Sequence, residues 1–198
     1  MRRKESEFKT IFFSKSGTQK INNDYFGYVQ LDNYAIWVIA DGYDGEEGAN
    51  IASKLSVESV IEYFTAHPRF NKEVIKELFK YTNDTIKQKQ EEMERYSLMH
   101  TSLLIVISNY NKILYGNIGN TRLYHIQGGY IVNQSSDDSV SQLLVQERAL
   151  DIKDIKSHRQ RNDLLQAIGD YSKIKPIISN EIKLLEGDKI CLTTRGTW

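Results

Sequence analysis

The run Tyr34-Ala35-Ile36-Trp37-Val38-Ile39-Ala40 constrains the fold more than any other stretch of this chain. It is a nearly continuous apolar segment of strand length, so it has no polar face to turn towards water. Such a strand belongs inside a sheet that is covered on both sides. It closes on Asp41-Gly42-Tyr43-Asp44-Gly45, which puts a carboxylate and a free glycine carbonyl at the strand end. A second apolar run, Lys189-Ile190-Cys191-Leu192-Thr193-Thr194, closes on Arg195-Gly196-Thr197-Trp198. The two strand ends look like one device, except that a cation stands where the first has a carboxylate.

The rest of the pattern surrounds these strands. Phe8 to Phe13 and Asp24 to Leu31 are aromatic-rich and end in turn residues, which predicts two further strands. A helix is expected from about Glu47 to Thr65, with Ile51, Leu55, Ile61 and Phe64 on its apolar stripe and Val57 and Val60 beside it. His67-Pro68 ends it, because the residue before proline avoids helical angles. A second helix is expected from Asn71 to Arg95, with Ile75, Leu78, Phe79, Thr82 and Ile86 as its buried face and Lys87 to Arg95 solvated. Strands follow at 101–108, 113–117 and 122–126, and Gly128-Gly129 makes a hairpin turn. Ser139 to Arg148 reads as a short helix, and Leu164 to Ile168 as a helical turn ended by Gly169. Two last strands, 177–185 and 189–194, join through Glu186-Gly187-Asp188. Consecutive hairpins give antiparallel sheet, and two long amphipathic helices need a sheet to cover, so the class is a layered α+β sandwich.

Composition removes several functions. At 198 residues the chain fits one domain, residues 1–198, with a real core. Its 26 basic and 26 acidic residues cancel, which argues against a nucleic-acid or anionic-membrane surface. No apolar run is long enough to span a bilayer, so no membrane insertion is expected. Residues 1–7 are read as a flexible, solvated end, and Met1-Arg2-Arg3-Lys4 is not followed by the apolar stretch of a signal peptide. The single cysteine, Cys191, is expected in the core, and a lone thiol fits a reducing, cytoplasmic setting.

Six short motifs, in order, then resemble those of the metal-dependent type 2C Ser/Thr protein phosphatases, the PPM family. They are Gln19-Lys20-Ile21-Asn22-Asn23-Asp24 for R-x-x-N-E-D, Asp41-Gly42-Tyr43-Asp44-Gly45 for D-G-x-x-G and Met99-His100-Thr101-Ser102 for M-G-T-T. The others are Asn117-Ile118-Gly119-Asn120-Thr121-Arg122 for N-x-G-D-S-R, Leu165-Gln166-Ala167-Ile168-Gly169 for L-T-x-A-L-G, and Thr194-Arg195-Gly196-Thr197-Trp198 for S-D-G-x-W. The resemblance implies a four-layer α-β-β-α sandwich, two stacked antiparallel sheets flanked by helices, with the site at one end between the sheets. It also implies that the family's last elements, which carry another acidic metal ligand, are absent after residue 198. In active members two Mn²⁺ or Mg²⁺ ions share a bridging aspartate and activate a water that attacks phosphorus.

On that resemblance Asp24, Asp41 and the Gly42 carbonyl are the retained metal-ligand positions. The departures run towards weaker metal and phosphate binding. Gln19 replaces the phosphate-holding arginine, so the bidentate fork is lost. Asn23 stands where Glu or Gln is common, Asn120 where an Asp helps hold a third metal, and His100 where a glycine is usual. Arg195 replaces a metal-ligand Asp. A unit charge pair at about 4 Å is worth roughly 4 kcal/mol at an effective dielectric near 20, and a divalent ion meets about twice that opposition. Arg195 is therefore expected to pair with Asp41 as a built-in surrogate for the missing ion. Asp44 could compensate at a single residual Mn or Mg site. Alternatively Asp44, Glu46 and Glu47 only complement the positive end of the following helix. His67, His125 and His158 show no ligand spacing.

These departures weigh against hydrolysis without deciding it. The leading expectation is a pseudophosphatase acting as a protein-binding or regulatory module, its partner a phosphoprotein or a kinase. A weakly active metal-dependent Ser/Thr phosphatase with a degenerate site is the alternative, and a structural domain of a larger signalling or secretion protein is a third.

Overall fold

The computed structural model describes residues 8–43, 45–170 and 173–197. The expectations for residues 1–7, Asp44 and Trp198 lie outside the described residues. In chain order the elements are β1 Asp24–Gln30, β2 Ala35–Gly42, α1 Ala49–Ala66, α2 Lys72–Glu92, β3 Thr101–Ser108, β4 Lys112–Ile118 and β5 Arg122–Gln127. They continue with β6 Tyr130–Gln134, α3 Val140–Gln146, β7 Ile177–Ile178, β8 Ile182–Lys183 and β9 Lys189–Thr193.

The strands form two antiparallel sheets. The larger runs β1-β2-β3-β4-β7, with β8 also on β4, and the smaller runs β6-β5-β9. The chain is thus the expected α+β fold of stacked sheets flanked by helices. β2 lies between β1 and β3, as its sequence demands. Alternation along it feeds two cores. Ile36, Val38 and Ala40 join α1 and α2 residues on one side, while Ile39 packs with Leu104, Val106, Tyr115 and Leu123 on the other. That second core, completed by Ile190 and Leu192 of β9, glues the sheets together.

α2 buries the predicted face: Ile75, Leu78, Phe79, Thr82 and Ile86 are all fully inaccessible. Its start is set by Asn71, whose side chain accepts the Val74 N–H at 2.8 Å. α1 buries Phe64 of the predicted stripe, with Val57 and Val60 beside it, but not the rest of the stripe. Ala49, Ala52, Ser53, Ser56, Val57, Val60 and Phe64 are buried, whereas Ile51, Leu55 and Ile61 are only partly covered. The helix lies so close to β1 that a Cβ on Gly27 would come within 2.8 Å of Val57. Close approach selects small side chains for the contact, and the larger ones flank it.

Other differences have local causes. Residues 8–13 form no strand but are pinned by rings: Phe8 packs edge-on against Trp37 at 4.8 Å, and Phe12 against Phe26 at 4.3 Å. Residues 164–168 are not helical, because Leu164 and Ile168 make single bridges to Ser139 and Thr101. The 177–185 strand splits into β7 and β8 around Ser179, which exchanges hydrogen bonds with Tyr115. Cys191 is exposed rather than buried, since Ile190 and Leu192 take the inward positions of β9. Within the solvated end of α2, Gln90 is buried and donates to the carbonyls of Met99 and Gly169. All of β6 is exposed. Among the described residues no helix is long and apolar enough to cross a membrane.

At the far end of the smaller sheet, His125 Nε2 lies 2.8 Å from Asp188 Oδ2, and both side chains are buried. Burial pushes the Asp188 carboxyl up, but the Leu185 N–H, His125 and Gln127 together hold it below the usual carboxylate range. A folded-state pKa below the unfolded one stabilises above the unfolded value and is lost as pH falls through the folded one. Chemical denaturation from pH 6 to pH 2 is expected to show stability falling below about pH 4. Asp188→Asn is expected to be less stable at pH 6 and to show a shallower acid limb.

Candidate functional site

The ends of β1, β2 and β3 converge through their register. Asp24 pairs with Asp41, Asp41 with Ser102 and Gly42 with Thr101. The end of β9 and the 3₁₀ turn Arg195–Thr197 reach the same place from the other sheet. Arg195 N–H donates to Asp41 Oδ2 at 3.4 Å, and Thr194 Oγ1 donates to Asp24 Oδ2 at 2.8 Å. Each retained aspartate is therefore met by the strand end that carries the departure from the family pattern.

Gly42 has a reason to be glycine besides its carbonyl. A Cβ there would lie 2.2 Å from the Ala49 carbonyl oxygen, at the first residue of α1. The Gly42 N–H donates to the Asn23 carbonyl at 3.0 Å, tying the opening motif to the strand end. Ser102 Oγ donates to the Asp41 carbonyl at 3.3 Å.

A small recess is lined by Asp41, Gly42, Tyr43, Asn120, Asn162, Leu164 and Arg195. Asp41, Gly42, Asn120 and Arg195 thus come together as the motifs imply, with Asp24 adjoining. Gln19 and Asn23 line a separate, open groove beside them. Asp44 is outside the described residues.

The residues flanking Asn120 are held by a buried polar network. Asn117 Nδ2 donates to the carbonyls of Gly119 and Ser136, and Asn117 Oδ1 accepts from Thr121 Oγ1 at 3.0 Å. Arg122 makes a two-pronged pair with buried Asp137, Nε to Oδ1 at 2.8 Å and Nη2 to Oδ2 at 2.6 Å. Burial raises the Asp137 carboxyl pKa, and the guanidinium opposes that rise. Asp138 is raised by burial too, with Gln166 Nε2 donating to it at 2.8 Å.

Two features of this end escaped the sequence. His100 Nδ1 lies 3.0 Å from Glu46 Oε2, so the histidine in the glycine position ties β3 to the loop before α1. Asn162 Oδ1 is buried in the recess wall without a hydrogen-bond partner among the described residues. Neither had a spacing signal, since both depend on contacts across long stretches of chain. Among the described residues, the oxygen donors at this end include the carboxylates of Asp41 and Asp24, the Gly42 carbonyl and the amides of Asn120 and Asn162. Among the described residues no three His, Cys, Asp or Glu side chains gather into a metal-ligand cluster.

Comparison with known proteins gives a consistent picture. The family model described as "Protein phosphatase 2C" matches residues 14–197. Protein phosphatase PhpP of Streptococcus pneumoniae is 28% identical over 185 residues, covering 91% of this chain and 75% of that protein. The crystal structure of serine/threonine phosphatase Stp1 from Staphylococcus aureus superposes with a TM-score of 0.80 at 22% identity, over 93% of this chain and 75% of that one. The catalytic domain of the serine threonine protein phosphatase PstP, in complex with two manganese ions, superposes with a TM-score of 0.73 at 20% identity, over 88% and 71%.

The Gly42 contact makes a test of the local geometry. Gly42→Ala is expected to push α1 from the strand end and to lower the unfolding free energy by about 1–3 kcal/mol, measured by urea denaturation.

Proposed function

This chain belongs to the protein phosphatase 2C family, and on that premise we propose that it is a single phosphatase-like domain that binds a protein instead of hydrolysing phosphate esters. The observation that carries the reading is the meeting of Arg195 with Asp41, made by the backbone N–H at 3.4 Å. That contact brings a cationic residue to the carboxylate which, in the family's metal-dependent members, bridges two ions.

The donor set does not fit two divalent ions. Hard cations need several oxygen ligands and usually more than one carboxylate. Here Asp24 already accepts the Thr194 hydroxyl, Asn120 and Asn162 offer only neutral amides, and Arg195 brings a positive charge. The half-buried Asp41 carboxylate is favoured by a nearby counter-charge, and the planar guanidinium is suited to supply it. Arg195 is therefore assigned as the standing substitute for an ion on Asp41. Gln19 offers an incoming phosphate no charged fork. The partner is a protein, and a lone cysteine supports a reducing, cytoplasmic setting.

A second reading has one observation in its favour. The unsatisfied Asn162 Oδ1 lines the same recess as Asp41, so one Mn or Mg ion held by Asp41, Gly42 and amide oxygens would give a weak Ser/Thr phosphatase.

Calorimetric titration of Mn²⁺, run with phosphate release from a phosphoserine peptide, separates the two. The native chain is expected to show neither Mn²⁺ binding nor release. Arg195→Asp is expected to raise Mn²⁺ affinity at least about tenfold, since it removes an opposing charge and adds a ligand. Tight Mn²⁺ binding or phosphate release by the native chain would overturn the binding-module reading and favour the second.

A further inference from the structure

Residues 162–169 form no helix or strand, only single bridges from Leu164 to Ser139 and from Ile168 to Thr101. The segment nevertheless supplies Asn162 and Leu164 to the recess that Asp41 also lines. An irregular stretch keeps its place through the partners of its backbone groups. Two sets of bonds hold this one. The first lies along the chain before α3: Val140 N–H donates to the Asp163 carbonyl at 2.9 Å, and Leu165 N–H to the Asp138 carbonyl at 3.0 Å. Gln166 Nε2 adds a bond to Asp138 Oδ2 at 2.8 Å. The second set comes from α2. Asn83 Oδ1 accepts the Gly169 N–H at 2.9 Å, and Gln90 Nε2 donates to the carbonyls of Gly169 at 3.1 Å and Met99 at 3.0 Å. Between the two sets, Ile168 and Thr101 exchange backbone bonds at 2.9 and 3.2 Å, and Thr101 pairs with Gly42.

The two amides on α2 are out of place in a helix core. Asn83 and Gln90 are 5% and 3% exposed, on a helix whose other buried residues include Ile75, Leu78, Phe79 and Ile86. A buried amide costs free energy unless its hydrogen bonds offset the loss of water. Gln90 Oε1 has no hydrogen-bond partner among the described residues, so its donor end places the side chain. Gly169 lets the chain come this near to α2. At φ 97°, a Cβ there would lie 2.8 Å from the Met99 carbonyl oxygen and 2.9 Å from Ile86 Cγ2.

We propose that residues 162–169 are a strap held shut from α2, with Asn83 and Gln90 as positioning residues for the recess. Releasing either anchor opens the strap as one unit, and Asn162 and Leu164 leave the recess wall with it. Whatever shifts α2 then alters the surroundings of Asp41 without entering the recess.

The test is amide hydrogen exchange of the native chain in low denaturant. The N–H groups of Val140, Leu165, Ile168 and Gly169 are the reporters, since each bonds across an edge of the strap. They are expected to share one opening, with one denaturant dependence, and to exchange faster than the amides in the middle of β3. Four unrelated openings, or opening only together with β3, overturns the proposal. Gln90→Met and Asn83→Leu, each checked for folding by circular dichroism, are expected to speed exchange at all four reporters about tenfold. Val60→Ala, in the core under α1, is the control for general destabilisation and is expected to leave the four reporters at their native rates. Faster exchange at Gly169 alone, with Val140 and Leu165 unchanged, marks a local contact and overturns the proposal too. If a variant does not fold, the native-chain measurement decides. None of these readouts uses a metal, a peptide or phosphate release, so their failure is distinct from failure of the binding-module reading.

Discussion

The contact between Asp41 and the Arg195 backbone N–H organises this end of the molecule. The residue closes a strand that is buried on both faces, and its carboxylate opens between the two sheets. Asp41 is half-buried there, and its Oδ2 accepts the Arg195 backbone N–H at 3.4 Å. The partner arrives on β9, whose register is fixed by β5: Thr193 pairs with Arg122, and Arg122 is clamped to buried Asp137. The row from Asp137 through Arg122 and Thr193 to Arg195 therefore sets where the cationic strand end meets Asp41. Asp24 and Thr194 repeat the arrangement one strand over.

Much of the architecture was legible because the relevant residues report burial directly. β2 is apolar up to Asp41 and lies in the sheet interior, β3 is buried at all eight positions, and α2 buries the face its periodicity marks. Where the structure departs from the pattern, hydrophobic size alone does not report depth or pairing. α1 packs through alanines and serines because it sits against a glycine in β1. Cys191 lies in an apolar run, but alternation along β9 turns it outward. Phe8 and Phe12 signal ring packing against Trp37 and Phe26, not a ladder.

The candidate site divides in the same way. Asp24, Asp41, Gly42, Asn120 and Arg195 could be read because each belongs to a short motif at a strand end, and strand ends at one edge of stacked sheets meet. The His100–Glu46 contact and Asn162 could not, since nothing in local spacing records a contact made by the tertiary fold. Gly42 illustrates the limit from the other side. Its carbonyl role is a motif property, but its lack of a side chain is also required by the first turn of α1.

The family fold, shared with phosphatases from bacteria, brings Arg195 beside Asp41 at this strand end. The account turns on Arg195 standing where an ion would bind Asp41. The most direct measurement is anomalous diffraction from crystals soaked in Mn²⁺. The account predicts the Arg195 guanidinium within hydrogen-bonding distance of the Asp41 carboxylate and no manganese pair bridged by it. Two manganese peaks sharing the Asp41 carboxylate, with Arg195 displaced, would contradict it.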